Sequence, residues 1–255
     1  MRATPIENKV VVITGASSGI GAATALACGQ KGMRVVLIAR RTAELERVAD
    51  QVRQAGGEAL PLTLDVTSSG ALDSAISQVI QAYGRIDVLL TCAGRSFHHS
   101  VELAPDQEIE KLVEVNFLSA VNAIRAVLPE MRKQRLGQIM LVGSVAAEVL
   151  FPNDAIYAST KAAIHRFAKG LRNELQGTGI DVSLIIPGIV ETELTAGLSG
   201  FSKADPSIVA RDILACIAKP RFKVVTPRRY GFALMAARIA PASVARYVAK
   251  RIGRR

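Results

Sequence analysis

The chain has 255 residues, of which 49% are apolar. This length is close to the largest size that one hydrophobic core supports. The three cysteines, Cys28, Cys92 and Cys216, are scattered, which favours neither a disulfide framework nor a thiolate metal site. The net charge is +10, but residues 1–212 hold 21 of the 32 Lys and Arg and all 22 Asp and Glu, so the positive excess lies beyond Asp212. The positive charge is confined to the C-terminal part of the chain, and the main fold shows no pattern of a base-recognition helix or of exposed aromatic residues. This argues against nucleic acid as a partner.

The first nine residues are polar and lead directly into an apolar strand, unlike a signal peptide. The longest apolar runs, such as residues 230–237, are much shorter than the ~20 residues that cross a bilayer. We therefore expect a cytoplasmic protein without a transmembrane segment.

Short runs rich in Val, Ile and Leu alternate with segments whose apolar residues have helical spacing, such as Leu45, Val48 and Val52. Near-continuous apolar runs are typical of parallel strands that are buried on both faces. The predicted strands are residues 10–14, 34–39, 59–64, 86–91, 138–142, 181–186 and 223–226. The alternation predicts an α/β fold, a single-domain doubly wound parallel sheet of the Rossmann type with helices on both faces.

A glycine-rich turn joins the first strand to a helix predicted over residues 22–30. Its sequence is Thr14-Gly15-Ala16-Ser17-Ser18-Gly19-Ile20-Gly21. Glycines let the backbone approach a pyrophosphate, and the N-terminus of a helix offers free N–H groups to it. Tight packing alone can select small residues, but the strand, turn and helix order is the context that a dinucleotide site requires.

The second predicted strand ends in Ala39, Arg40 and Arg41, where an NAD-selective site would place a carboxylate for the ribose hydroxyls. Guanidinium groups can instead pair bidentately with a 2′-phosphate. Both arginines can also be solvated at the start of the helix predicted near Thr42. The pattern favours NADP(H) over NAD.

Tyr157 and Lys161 have i, i+4 spacing in a helix predicted over residues 156–175, so they share one helix face. A phenol has a pKa near ~10, and we expect the adjacent ammonium to lower it. Ser144 follows the strand at residues 138–142, at the carboxyl edge where α/β sheets bind ligands. Its hydroxyl can hydrogen-bond a substrate oxygen, and Tyr157 is the candidate acid or base.

Taken together, these motifs resemble the short-chain dehydrogenase/reductase family over residues 6 to about 195. The resemblance implies an oxidoreductase that uses NADP(H) to interconvert a carbonyl and an alcohol by hydride transfer. It implies four catalytic residues, with Asn116 holding a water for proton relay beside Ser144, Tyr157 and Lys161. The implied cofactor-binding residues are Gly15, Ser17, Ser18, Gly19, Ile20, Gly21, Arg40, Arg41, Asp65, Val66, Cys92, Ala93, Gly94, Tyr157, Lys161, Pro187, Gly188, Val190 and Thr192, and no metal is expected.

The chain departs from the family pattern after the fourth predicted strand, where Thr91-Cys92-Ala93-Gly94 replaces the usual Asn-Asn-Ala-Gly. We expect altered packing with unchanged chemistry. A cysteine without a neighbouring base is interpreted as a small buried hydrophobe. His98 and His99 lack a third ligand at suitable spacing, which favours a polar loop over a metal site.

Three loops at the reactive edge, residues 95–101, 145–156 and 189–204, are expected to select the substrate. Val149, Leu150 and Phe151 predict an apolar wall and so a lipid-like, steroid-like or other apolar carbonyl. One alternative is a reductase of 3-oxoacyl thioesters carried by coenzyme A or an acyl carrier protein. Another is a cofactor-binding regulator without turnover, against which the complete catalytic set argues.

We predict a division between residues 1–227, which hold the cofactor and catalytic sites, and a basic, apolar C-terminal extension at residues 228–255. One helix face of the extension would carry Val244, Tyr247, Val248 and Ile252. The extension can be a lid, a subunit contact or a peripheral anchor on an anionic membrane surface. The family resemblance implies a homodimer or homotetramer.

Overall fold

The structure is a computed structural model that describes residues 6–231 except 150, 152, 199 and 201. Its seven strands form one sheet in the order β3-β2-β1-β4-β5-β6-β7, and every neighbouring pair is parallel. The strands are β1 (Val10–Thr14), β2 (Arg34–Ala39), β3 (Glu58–Thr63), β4 (Val88–Thr91), β5 (Gly137–Val142), β6 (Ile180–Pro187) and β7 (Lys223–Thr226). The helices are α1 (Gly19–Gly29), α2 (Thr42–Gln54), α3 (Ala71–Tyr83), α4 (Asp106–Val113), α5 (Ser119–Gln134), α6 (Ala155–Glu174) and α7 (Pro206–Ala218).

The sheet is covered on both faces, which confirms the predicted fold class. Helices α3, α5 and α6 supply one core layer, and α1, α2 and α7 supply the other. Along β1 the side chains alternate between these layers: Val10 and Val12 belong to the first, and Val11 and Ile13 to the second. Because each face needs apolar side chains, the strand sequences have no polar alternation.

The strand order reverses at β1, which pairs with β2 on one side and β4 on the other. In open parallel sheets, a crevice forms at such a switch point, outside the carboxyl ends of the strands. The ends of β1, β2, β4, β5 and β6 therefore bring the predicted site segments to one edge.

Among the described residues, one helical run, Asp106–Gln134, meets the length and composition of a membrane-spanning helix. It comprises α4, a π-helical turn at Glu114–Leu118, and α5. Its buried residues include Ala123, Ile124 and Val127, which belong to the core layer against the sheet. This is the packing of a core helix, which passes the same composition test.

Most of the predicted C-terminal extension, residues 232–255, lies outside the described residues. The helix face assigned to Val244, Tyr247, Val248 and Ile252 and the three roles of the extension therefore stay predictions. In the described part of the extension, Tyr230 packs against the core layer of α3, α5 and α6, and its ring fills the space beside Gly188. The chain that leaves β7 thus passes beside Gly188, which follows β6.

Asp87 ties together the beginnings of three strands. Its side chain is 4% exposed, and its Oδ2 accepts hydrogen bonds from Val10 N at 2.9 Å and Arg85 Nε at 3.0 Å. Its main-chain N–H donates to Val10 O, and its carbonyl accepts from Gln138 N. These bonds fix how β1, β4 and β5 meet at the edge opposite the site.

We expect Asp87→Ala to lower the free energy of unfolding by about 2–4 kcal/mol, because it leaves the buried Val10 N–H without its partner and removes an ion pair. Urea denaturation measures the change. The control is Asp50→Ala, which removes only an exposed i, i+3 pair with Arg53 and should cost less than about 0.5 kcal/mol. Similar losses for both variants would contradict the role of Asp87.

Candidate active site

A cleft of about 520 Å³ opens at the carboxyl edge of the sheet. It is lined by all the predicted catalytic and cofactor-binding residues except Gly21 and Asn116. Further lining residues belong to the loops predicted to select the substrate, namely Arg95, Ser96, Glu193, Leu194 and Thr195, or end predicted strands, namely Ala39, Leu64 and Val142. The sequence did not single out Val115 and Gly143. The structure therefore places the glycine-rich turn at residues 14–21, called the phosphate loop below, and the Tyr157 region in one cavity.

The phosphate loop leads into α1, which begins at Gly19, three residues earlier than predicted. Ser18 is extended and its side chain caps no N–H group, so the first turn retains donors that an anion can use. Gly15 and Gly19 have φ angles of +69° and +55°, and Gly21 has no room for a side chain because the Gly15 carbonyl lies against it. The loop fits a pyrophosphate that approaches its backbone closely.

The departure from the family pattern at residues 91–94 is accommodated by Thr14. Its Oγ1 accepts hydrogen bonds from Cys92 N and Ala93 N, both at 3.2 Å. A Cβ on Gly15 would lie 2.7 Å from Ala93 Cα, so the two loops touch. Burial raises the pKa of Cys92 to about 11, although the charge of Lys161 acts in the opposite direction. The thiol is therefore neutral, as expected for a residue that is no nucleophile, but Cys92 is only half-buried and lines the cleft.

The two arginines predicted to hold a 2′-phosphate both reach the cleft, and each has an acidic neighbour. Arg40 Nη1 lies 3.6 Å from Asp65 Oδ2, and Arg41 Nη1 lies 3.0 Å from Glu193 Oε1. Arg41 Nη2 also donates to Ser17 Oγ at 3.2 Å. The carboxylates missing from the end of β2 are thus supplied by other segments of the chain.

Ser144, Tyr157 and Lys161 converge beside the end of β5. Lys161 is 6% exposed, and its Nζ donates to Val142 O at 3.2 Å and lies 5.9 Å from the centre of the Tyr157 ring. Ser144 Oγ accepts a hydrogen bond from Ala146 N at 3.1 Å, which orients the hydroxyl at the start of a short 3-10 turn. The predicted catalytic side chains therefore share one wall of the cleft.

The expected effect of Lys161 on Tyr157 is wrong in this structure. Burial raises the pKa of Tyr157 to about 12; a hydrogen bond with Ser144 lowers it, and the charge of Asp154 raises it further. Burial also lowers the pKa of Lys161 to about 8. Desolvation is the largest influence on both groups, so Tyr157 is protonated at neutral pH.

Asn116 lies in the π-helical turn and is 2% exposed. Its Oδ1 accepts from Arg95 N at 2.8 Å, and its Nδ2 donates to Arg95 O at 3.0 Å and to Thr160 Oγ1 at 3.1 Å. Thr160 Oγ1 donates in turn to Tyr157 O at 2.7 Å. Both amide donors are committed, so Asn116 joins the loop after β4 to α6. Its part in a proton relay stays a prediction.

The family model for short chain dehydrogenases matches residues 9–201. The chain belongs to the short-chain dehydrogenase family. It is 32% identical over 219 residues to an uncharacterised oxidoreductase of Staphylococcus aureus, covering 85% of this chain and 94% of that protein.

Two solved structures extend this comparison. An actinorhodin polyketide ketoreductase variant with NADPH superposes with a TM-score of 0.81 at 28% identity, covering 88% of this chain and 97% of the other. A short-chain dehydrogenase/reductase of Burkholderia phymatum in complex with NAD gives 0.84 at 24% identity, covering 91% and 93%. The second likeness supports the fold alone.

His165 supports the Ser144 backbone in this short-chain dehydrogenase, a role that the sequence reasoning missed. The Ser144 N–H donates to His165 Nε2 at 3.4 Å, and the imidazole ring leaves no room for a side chain at Gly143. Burial lowers the pKa of His165 to about 4, which keeps the ring neutral and able to accept. Its position four residues after Lys161, on the same helix face, is the signal that could have indicated it.

His98 and Asp154 are also close to Tyr157. His98 Nδ1 lies 3.0 Å from Asp154 Oδ1, although that buried oxygen receives no well-directed hydrogen bond among the described residues. The centres of the His98 and Tyr157 rings are 6.1 Å apart. No group of metal-ligating side chains occurs among the described residues. His98 thus faces a carboxylate, and Asp154 brings negative charge to Tyr157, the predicted acid or base.

We expect Asp154→Asn to lower the pKa of Tyr157, because it removes the negative charge that disfavours the phenolate. Ultraviolet difference titration of tyrosinate measures it, with Tyr157→Phe in each background to subtract the other three of the four tyrosines. The control is Asp73→Asn on the exposed side of α3. An unchanged or raised titration midpoint in Asp154→Asn would contradict the assignment.

Proposed function

We propose that this protein uses NADP(H) to interconvert a carbonyl and an alcohol on an apolar substrate. The observation that carries the proposal is the single cleft that joins the glycine-rich phosphate loop to Ser144, Tyr157 and Lys161. The oxidoreductase relatives and the family membership support the reaction class.

The chain's own residues supply the proton and the orientation of the substrate. When bound, the nicotinamide would supply the hydride for reduction and accept it for oxidation. In reduction, neutral Tyr157 donates its proton to the carbonyl oxygen, and Ser144 polarises that oxygen by a hydrogen bond. Lys161, held by Val142 O, borders the ring and stabilises the phenolate that proton transfer leaves behind.

The apolar character of the substrate rests on different residues from those expected. Val149 and Phe151 pack against the core layer and do not line the cleft, and residue 150 lies outside the described residues. Apolar lining comes instead from Val115, Val190 and Leu194, the last of which is 39% exposed. An open, partly apolar wall suits a hydrophobic carbonyl compound.

A second candidate is the reduction of 3-oxoacyl thioesters, favoured by the similarity to a polyketide ketoreductase and by the positive charge beyond Asp212, which would attract coenzyme A or an acidic carrier protein. A panel of ketones, aldehydes and acyl thioesters, followed by NADPH oxidation, discriminates the two. A regulator without turnover would oxidise NADPH with none of them.

We expect Tyr157→Phe to reduce turnover by about 10²- to 10⁴-fold or more, because the ring stays while the proton donor is lost. NADPH affinity, measured by fluorescence titration, should stay within about threefold, since Phe fills the same space. The control is Tyr83→Phe on α3, whose ring lies beside Arg34, away from the cleft. Near-normal turnover by Tyr157→Phe would refute the assignment of the acid.

The preference for NADP(H) is tested at Arg40 and Arg41. Replacing both with Gln should weaken NADPH binding by roughly 10- to 150-fold, the equivalent of ~1.5–3 kcal/mol for a charge-assisted contact, and NADH binding much less. The matched control is Arg47→Gln on the exposed side of α2. Equal losses for the two dinucleotides, or tighter wild-type binding of NADH, would contradict the preference.

A further inference from the structure

Glu193 connects the loop after β6 to the phosphate loop and to the end of β2. Its Oε1 lies 3.0 Å from Arg41 Nη1, and its Oε2 accepts a hydrogen bond from Ser18 Oγ at 3.4 Å. Arg41 and Glu193 are separated by 152 positions in the chain, and all three residues line the cleft. A carboxylate therefore lies among the donors that phosphate groups would need.

The segment that carries Glu193 is held by its own contacts. Thr192 N donates to Thr195 Oγ1 at 3.2 Å, and Thr195 Oγ1 donates to Val190 O at 2.5 Å. Ser96 Oγ donates to Leu194 O at 2.9 Å, which ties the same turn to the loop after β4. The position of the Glu193 backbone is thus fixed on both sides by hydrogen bonds.

The Thr192 side chain also lies against the phosphate loop, since a Cβ on Gly19 would be 2.9 Å from Thr192 Cγ2. This contact brings the turn directly over the N-terminus of α1. Any anion bound by Arg41 must therefore share or replace its contact with Glu193.

We propose that Glu193 determines cofactor selectivity by competing with the 2′-phosphate for Arg41. This inference rests on the proposed use of NADP(H). A 2′-phosphate oxygen and Glu193 Oε1 compete for the N–H groups of Arg41, so binding of the phosphorylated cofactor weakens or replaces the contact with Glu193. NADH, which lacks the phosphate, leaves the pair intact.

The pair also links the two ends of the cleft. Glu193 begins the 3-10 turn Glu193–Thr195, and Leu194 and Thr195 in that turn line the cleft. The Arg41–Glu193 contact therefore lies next to the segment that we expect to contact substrate.

The test is fluorescence titration of NADPH and NADH, which needs no substrate. Glu193→Gln keeps the size of the side chain and removes its charge, so NADPH should bind about three- to tenfold more tightly and NADH should change less than about twofold. In an Arg41→Gln background the gain for NADPH should fall below about twofold, because the competed partner is gone. Glu191→Gln, on the same loop but outside the cleft, is the matched control and should change neither affinity.

Unchanged or weaker NADPH binding by Glu193→Gln would overturn the inference, and so would an equal gain for NADH or a full gain without Arg41. Raising the salt concentration should reduce the difference in NADPH affinity between wild type and Glu193→Gln, because the charges of Arg41 and Glu193 are partly exposed and are screened by salt. A difference that does not depend on salt would count against the inference. Failure of the wild type to bind either dinucleotide would instead refute the proposed function itself.

Discussion

The site depends on the position of β1 between β2 and β4. All strands are parallel, so their carboxyl ends meet at one edge, and the reversal of strand order at β1 opens a crevice there. Thr14, the last residue of β1, holds the loop after β4 by accepting from Cys92 N and Ala93 N. This contact joins the phosphate loop to the loop after β4, and both loops line the same cavity as Tyr157.

Burial then decides the protonation states within this cavity. In water, a neighbouring ammonium lowers the pKa of a phenol. In the cleft both groups lose their hydration, and burial raises the pKa of Tyr157 to about 12 and lowers that of Lys161 to about 8. The residues that surround the pair therefore act on its chemistry. Asp154 opposes the phenolate, and the hydrogen bond of Ser144 favours it.

Local sequence patterns predicted the strands, since apolar runs reflect burial on both faces, and they predicted the turn after β1 from its glycines. Features that depend on contacts distant in sequence were not predictable: the Arg41–Glu193 pair, the approach of His98 to Asp154, and the packing of Phe151 into the core instead of the cleft wall. The sign of the Tyr157 pKa shift was missed for the same reason, because desolvation is set by elements from the whole chain.

The two arginines show why a local motif is an incomplete guide to selectivity. Arg40 and Arg41 have the charge that a 2′-phosphate needs, but Asp65 and Glu193 already lie beside them. Selectivity is the difference between the binding free energies of NADPH and NADH. When a 2′-phosphate replaces a carboxylate as the partner of an arginine, the binding free energy gained is smaller than when the guanidinium was unpaired before. A basic pair at the end of β2 thus favours NADPH only to the extent that its acidic partners can be displaced.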